Sequence, residues 1–280
     1  MLHQAFETYL YRDNKDGSGK ASSYLKALEW LHKMLQIEAY GFEDALDLWS
    51  VHSVERLIAL RERVLEEQKK GSGSPWVDPS IAQSYLAKGH CSAALTQLIE
   101  FLPEYEHSQK ALEIFRNHQG DESSLVEKLN RLEPEIPSDA VHDPNSKDGR
   151  DRLREVKTRL GQKAFREVIM EIYQNRCALT GLGLPALNRA SHIIPWAESK
   201  DTRMDPRNGI SLSATYDAAF DRHLITFDEE YRLVLSPEIK ERVTGEVWKT
   251  FFGAYEGQRL HLPPRYQPSQ KYLAVHREQI

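Results

Sequence analysis

CALTGLGLPALNRASHIIPWAESKDTRMDPRNGISLSATYDAAFDR, residues Cys177 to Arg222, decides the fold of the second half of this chain. Ala186 to Ile194 has the residue types of an extended strand that carries His192 near its end, and Pro195, lacking an N–H, stops any regular continuation. After a polar loop, Asn208-Gly209 turns the chain into Ile210-Ser211-Leu212-Ser213, whose apolar/polar alternation suits a short half-buried strand. Ser213 is placed to cap a helix from Ala214 to about Arg222. On that helix Asp217 and Asp221 stand four residues apart, so both carboxylates project from one face.

Phosphodiester hydrolysis needs a base that activates water and a cation that stabilises charge on the phosphorus centre and the departing oxygen. An imidazole titrates near neutrality and His192 is held on a strand edge, which makes it the candidate base. Asp217 and Asp221 offer hard oxygen ligands that suit Mg²⁺ or Mn²⁺ better than a soft-ligand zinc site, one ion per site, with water and phosphate completing the shell. Asn208 is read as a residue that hydrogen-bonds across the loop and orients the base, and Gly209 as the residue that lets the chain turn. Taken singly these residues are unremarkable: a lone His is usually structural, and a lone Asp on a helix is a surface acid.

Together they resemble an HNH endonuclease of the strand-strand-helix, single-metal kind. The similarity is to the branch with a His-Ile-x-Pro-Trp element, an Asn-Gly turn and an Asp-x-x-Phe-Asp-Arg helix. His192, Asn208 and Asp217 fall on the three positions that name the family, with Asp in place of the last His, and Asp221 falls on the second helix position. Many such proteins carry Asp or His just before the base; here Ser191 stands there, which implies fewer protein ligands and a metal shell completed by substrate phosphate. The resemblance extends through Arg159 to Gly181 and the ending LPPRYQPSQKYLAVHRE, roughly 130 residues or one domain in size.

In the segment DRLREVKTRLGQKAFREVIMEIYQN, Val156, Leu160, Phe165, Val168, Ile169 and Ile172 form the inward stripe of a helix. Arg152, Arg159, Lys163 and Arg166 share another stripe, and Arg159, Lys163 and Arg166, with Arg222, are candidate phosphate contacts. The alternative is a solvated face balanced by Glu155 and Glu167, and for Arg222 a salt bridge to Asp221 or Asp217. His223–Phe227 and Tyr231–Leu235 around Asp228 read as a β-hairpin, and Trp248, Phe251, Phe252 and Tyr255 as a covering helix.

The chain has 280 residues, enough for two domains, and 40% hydrophobic with 28% charged residues is ordinary for a soluble globular protein. No stretch reaches membrane-span length and the N-terminus lacks the pattern of a secretory signal, so a cytoplasmic protein is expected. Cys91 and Cys177 are too few for a four-cysteine zinc ribbon and are read as packing residues. The net charge of −5 divides unevenly: residues 1–149 hold 16 Lys+Arg and 25 Asp+Glu, a balance of −9, whereas 150–280 hold 21 and 17, a balance of +4. The basic charge lies with the candidate site, a modest hint of nucleic-acid contact.

Residues 1–118 read as helical. SSYLKALEWLHKML aligns Tyr24, Ala27, Leu28, Leu31, Met34 and Leu35 behind a cap at Ser22 or Ser23, and the next helix aligns Val54, Leu57, Ile58 and Leu65 before the GSGSP break. HCSAALTQLIEFL and SQKALEIFRNH read as two further short helices. Residues 119–149, rich in Asp, Glu, Pro and Ser, read as a linker, with the boundary near 145. The expected fold is α+β: an all-helical domain over 1–118 for target recognition or assembly, then a ββα-metal nuclease domain over 150–280. The expected activity is metal-dependent hydrolysis of double-stranded DNA, as a restriction or defence enzyme. A DNA-binding protein with an inactive site and a structure-selective or RNA-directed nuclease remain as alternatives, and a homodimer would explain cutting of both strands.

Overall fold

The computed structural model of the chain describes residues 2–14, 17–136 and 146–280. They form two compact units, one of Met1–Glu106 with Glu135–Arg154 and one of His107–Pro134 with Glu155–Ile280. The boundary expected near residue 145 lies outside the described residues.

The first unit is built from helices α1 (Leu2–Asp13), α2 (Lys20–Ile37), α3 (Val54–Lys70), α4 (Ser84–Ala87) and the first part of α5 (His90–Asn117). In α2 the expected stripe is the buried one, Ala27, Leu28, Leu31, Met34 and Leu35. The helix starts earlier than expected, at Lys20 after a left-handed Gly19, and Ser22 lies inside it with its hydroxyl donating to Gly19 O. In α3 the buried face is Leu57, Leu60, Val64 and Glu67; of the expected stripe Leu57 is buried, while Val54, Ile58 and Leu65 are half-buried. That face includes the charge of Glu67. Burial pushes the Glu67 carboxyl up, but hydrogen bonds from Lys70, Ser74 and Tyr40 outweigh it and hold the group below the usual carboxylate range. Phe6, Tyr9 and Phe101 pack ring against ring in the same core. The two helices expected around Pro103 are one continuous α5. Proline fixes a helical φ and removes one donor, a loss that a well-packed helix tolerates.

The second unit takes in the end of α5, α6 (Glu122–Asn130), α7 (Lys147–Ile172) from Glu155 onward, and the remainder of the chain. Strands β1 (Asn188–His192) and β2 (Gly209–Ser213) form an antiparallel pair with His192 opposite Gly209 and Ser191 opposite Ile210. Helix α8 (Ala214–Phe220) follows at once, so strand, strand and helix come in the expected order. Ser213 stands at the N-cap position but its side chain makes no capping bond, contrary to expectation. Strands β3 (Ile225–Phe227) and β4 (Leu233–Leu235) make the expected second hairpin. Helices α9 (Pro237–Arg242) and α10 (Gly245–Val247) lead into a π-helical turn, Trp248–Gly253, and α11 (Gln270–Arg277) ends the chain. Phe251, expected in the core, is exposed, while Trp248, Phe252 and Tyr255 pack against it.

Two features depart from the linker reading of 119–149. Asp121 caps α6 by accepting from Ser124 N at 2.8 Å, and Leu125 and Leu129 are buried in the same core as Phe165 and Phe220. Asn130 then bridges to the loop between β1 and β2, donating to Asp201 O and accepting from Met204 N. A nine-residue helix with two buried leucines is hard to see against its acidic, Ser-rich composition. No helix among the described residues is long and apolar enough to cross a membrane.

Candidate active site

His192 closes β1 with its ring enclosed on several sides. The imidazole lies 3.8 Å from the Phe165 ring of α7, nearly parallel to it, and 5.5 Å from Trp196 edge-on. Its Nε2 is 3.1 Å from Arg203 O. A carbonyl can only accept, so Nε2 carries the proton and Nδ1 keeps its lone pair for another partner. Burial lowers the imidazole pKa from 6.5 to about 4, with the bond to Arg203 O pulling weakly the other way. The expectation of a pKa near neutrality is corrected accordingly: His192 is neutral throughout the physiological range.

The ring that encloses the base is itself fixed. Arg203 Nε donates to Trp196 O at 2.7 Å while its guanidinium lies over the indole, so one residue holds Trp196 by its side chain and His192 by its carbonyl. A Cβ on Gly161 would come within 2.7 Å of the Trp196 ring, so α7 must offer a glycine there. Gly209 has the same kind of role. Its φ of −127° is open to any residue, which corrects the reading of Gly209 as a turn former. A Cβ there would lie 2.4 Å from Ile169 and 2.7 Å from Phe165, and close approach of β2 to α7 is what excludes a side chain.

Asn208 is fully buried and acts on the loop as expected. Its Oδ1 accepts from Ile194 N at 2.8 Å, and its Nδ2 donates to Ile194 O at 3.0 Å and Thr202 O at 3.1 Å. The amide thus ties the end of β1 to the loop that carries Arg203. Both Nδ2 hydrogens and the one bond seen to Oδ1 go to protein backbone.

On the helix side, Ser191 donates to Asp217 Oδ1 at 2.7 Å. Ser191 is buried and joins β1 to α8, fixing one of the two carboxylates beside the strand that holds the base. Asp221 follows α8, its N–H donating to Asp217 O at 2.9 Å. Its carboxyl is pushed up, first by desolvation and second by the charge of Asp217, with Arg222 and His223 pulling it down. Since Asp221 as a residue is exposed, the repulsion from Asp217 is the part that bears on ion binding. The charge of Asp217 contributes to the rise at Asp221, and a divalent cation bound there would relieve that repulsion. Among the described residues no group of three or more His, Cys, Asp or Glu side chains is arranged to hold a metal. The pair offers oxygen donors from two side chains, so a divalent ion there would draw its other ligands from water or substrate.

The expected phosphate stripe divides on inspection. Arg166 donates to Asn188 O at 2.7 Å and Pro185 O at 3.0 Å, which pins the start of β1 to α7. Lys163 pairs with Glu167 at 3.2 Å. Arg159 is exposed. Arg222 is exposed too, and donates to Ala218 O within its own turn rather than to Asp217 or Asp221. Phe165, Trp196 and Arg203 were not anticipated as site residues, and of these only the Trp of the His-Ile-x-Pro-Trp element left a signal in the sequence; Ser191 was noted beside the base, but not its bond to Asp217. Cys177 is buried, and its sulfur accepts from Thr180 N and Ser213 N, in keeping with a packing role.

Comparison with curated proteins gives no match for the chain. Residues 177–228, which span β1, β2, α8 and β3 with His192, Asn208, Asp217 and Asp221, match the model of a family described as HNH endonuclease. The matched segment lies in the C-terminal half of the chain and agrees with the resemblance read from its sequence.

Proposed function

We propose that the chain is a metal-dependent endonuclease that hydrolyses double-stranded DNA through a ββα-metal site. The observation that carries this reading is the match of residues 177–228 to the HNH endonuclease family, over a segment in which β1 ends on His192 with its Nε2 donating to Arg203 O at 3.1 Å and leaves Nδ1 as the nitrogen that can take a proton. In the proposed reaction Nδ1 takes the proton of the attacking water as the oxygen closes on phosphorus. The approach of an anionic phosphate raises the basicity of a buried imidazole, so the base strengthens when substrate arrives. Phe165 and Trp196 keep the ring from turning as it gains charge. Asp217 and Asp221 are the residues that would hold a divalent ion, Mg²⁺ or Mn²⁺, with Ser191 fixing Asp217 by its hydrogen bond. Such an ion would supply Lewis-acid stabilisation of charge on the phosphate and the leaving oxygen. Arg159 and Arg222 contact flanking phosphates, with Lys163 contributing less because of Glu167. The helical unit chooses the target, as in a restriction or defence role in the cytoplasm, and pairing of two chains would cut both strands.

Incubation of the full chain with supercoiled plasmid and Mg²⁺ or Mn²⁺ tests the proposal. Nicked or linear product, lost on adding a chelator and in His192→Ala, supports it. DNA binding without cleavage in either metal would identify a binding protein with an inactive site.

A further inference from the structure

The loop between α7 and β1 has no part in the mechanism, yet it is unusual. Residues 182–187 are all exposed, and among them Leu182, Leu184 and Leu187 keep 37%, 51% and 49% of their surface in water. Three leucines so exposed on one short loop need a reason, since apolar surface gathered in this way marks an interaction site more often than chance.

The loop is also rigid. Leu182 O accepts from Cys177 N at 3.0 Å and from Asn188 Nδ2 at 2.8 Å, and Leu187 N donates to Leu184 O. Asn188, fully buried, also donates to Asn175 O, so one amide staples both ends of the loop. Three guanidinium groups then surround it. Arg176 donates to Gly181 O, Arg166 to Pro185 O, and Arg189 to Ala186 O at 3.1 Å. Among the described residues no carboxylate pairs with Arg176 or Arg189. An apolar tip held stiff within a cationic rim matches the chemistry of a duplex, whose phosphates take the guanidinium groups while its base edges and stacked faces take the leucines.

We infer that the loop Leu182–Leu187 is a DNA-contacting wedge, with Arg176 and Arg189 on phosphates and Leu184 and Leu187 pressed into a groove. The inference rests on the proposed nuclease reading and names a contact outside the hydrolytic site. The rim favours DNA over a second copy of this chain, since two such rims would bring like charges together.

The test is binding of a fluorescein-labelled duplex to the full chain by anisotropy, without divalent metal, over a series of salt concentrations. Arg176→Gln with Arg189→Gln keeps donors for the loop carbonyls but removes both charges, and is expected to lower the slope of log affinity against log salt by about two. Leu184→Ser with Leu187→Ser is expected to weaken binding about tenfold with the salt slope unchanged. Substitution of 2-aminopurine for adenine in the duplex adds a readout of unstacking, bright with the parent and dim with the leucine variant. Both positions are exposed, and melting temperatures close to the parent's would show that the fold is kept. Parent-like affinity and salt slope in both variants overturn the wedge while leaving the nuclease reading in place. A leucine variant that binds DNA as the parent does but changes mass by light scattering makes the loop a subunit interface and overturns the inference as well. A parent that binds no duplex sinks both readings.

Discussion

At the scale of single residues, the chemistry of His192 is set by a few atoms around it: a phenyl face, an indole edge and a carbonyl. Replacing His192 by Ala is expected to lower kcat/KM by about 10²- to 10⁴-fold, as loss of a general base does. It also empties space against Phe165, so a fall in melting temperature is expected beside the loss of activity, and both are measured on the same preparation. Because burial holds the pKa of the free enzyme at about 4 instead of 6.5, the acid limb of kcat/KM assigned to His192 should lie well below pH 6.5. A limb centred at 6.5 would show the ring to be solvated. The carboxylates give a separate expectation. Asp217→Ala and Asp221→Ala should each raise the Mn²⁺ concentration needed for half-maximal cleavage, with weaker metal binding by calorimetry. Parent-like binding in both would place the ligands elsewhere. His192, Asn208 and both aspartates could be singled out in the sequence because the strand-ending proline, the Asn-Gly pair and the helical spacing are local signatures that together resemble a family pattern. The partners that tune them could not, since Phe165 and Arg203 reach His192 only through tertiary packing.

At the scale of elements, α7 supports the site as well as carrying Arg159, the phosphate contact proposed on it. Gly161, Phe165 and Arg166 recur along it, and each touches a different part of the β1 segment: the Trp196 ring, the His192 ring, and the carbonyls of Pro185 and Asn188. The sequence showed a basic stripe because Arg152, Arg159, Lys163 and Arg166 share one face, and charge alone does not say whether a guanidinium faces water or a backbone carbonyl. Gly161→Ala sets these readings against each other. The added methyl would meet the Trp196 ring within 2.7 Å, so it is expected to cost about 1 to 3 kcal/mol by overpacking and to lower kcat more than it raises KM. Melting and steady-state kinetics measure the two effects. If α7 served only phosphate binding, KM would carry the whole change. The strand-strand-helix order was legible because a two-residue period and an Asn-Gly pair are local signals. Helix α6 was not, as its two buried leucines are set among residues typical of loops.

At the scale of the whole molecule, acid and truncation probe what holds the second unit together. His192 and His276 are both held neutral by burial, each pushed to about 4 from 6.5, and His276 stacks on Phe220 while accepting from Thr226 and donating to Phe220 O. Their folded pKa values lie below the unfolded one, so the unfolded chain binds more protons between those values and stability falls as pH drops through 6.5 toward 4. Each group removes on the order of 3 kcal/mol by the lower end of that window, which a series of melts between pH 7 and 5 would begin to show. His276→Gln should flatten part of the slope. Truncation follows from the division of the chain. A fragment beginning near Asn145, the boundary suggested by composition, would lack Ala111, Leu112, Leu125 and Leu129 of the core that surrounds Phe165 and Phe220. It would also lose the bonds of Asn130 to Asp201 and Met204 and the pair between Glu122 and Arg207. Burial of a leucine is worth about 1.5 to 3 kcal/mol, so losing two of them approaches the whole stability of a typical domain. The fragment from His107 to Ile280 is therefore expected to melt cooperatively and to nick plasmid DNA with little site preference. The fragment starting at Asn145 is expected to be largely unfolded by circular dichroism at the same temperature. Equal stability of the two fragments would show that α6 decorates the nuclease unit, and a cleavage pattern in the longer fragment identical to that of the full chain would move target choice from the helical unit to the HNH half.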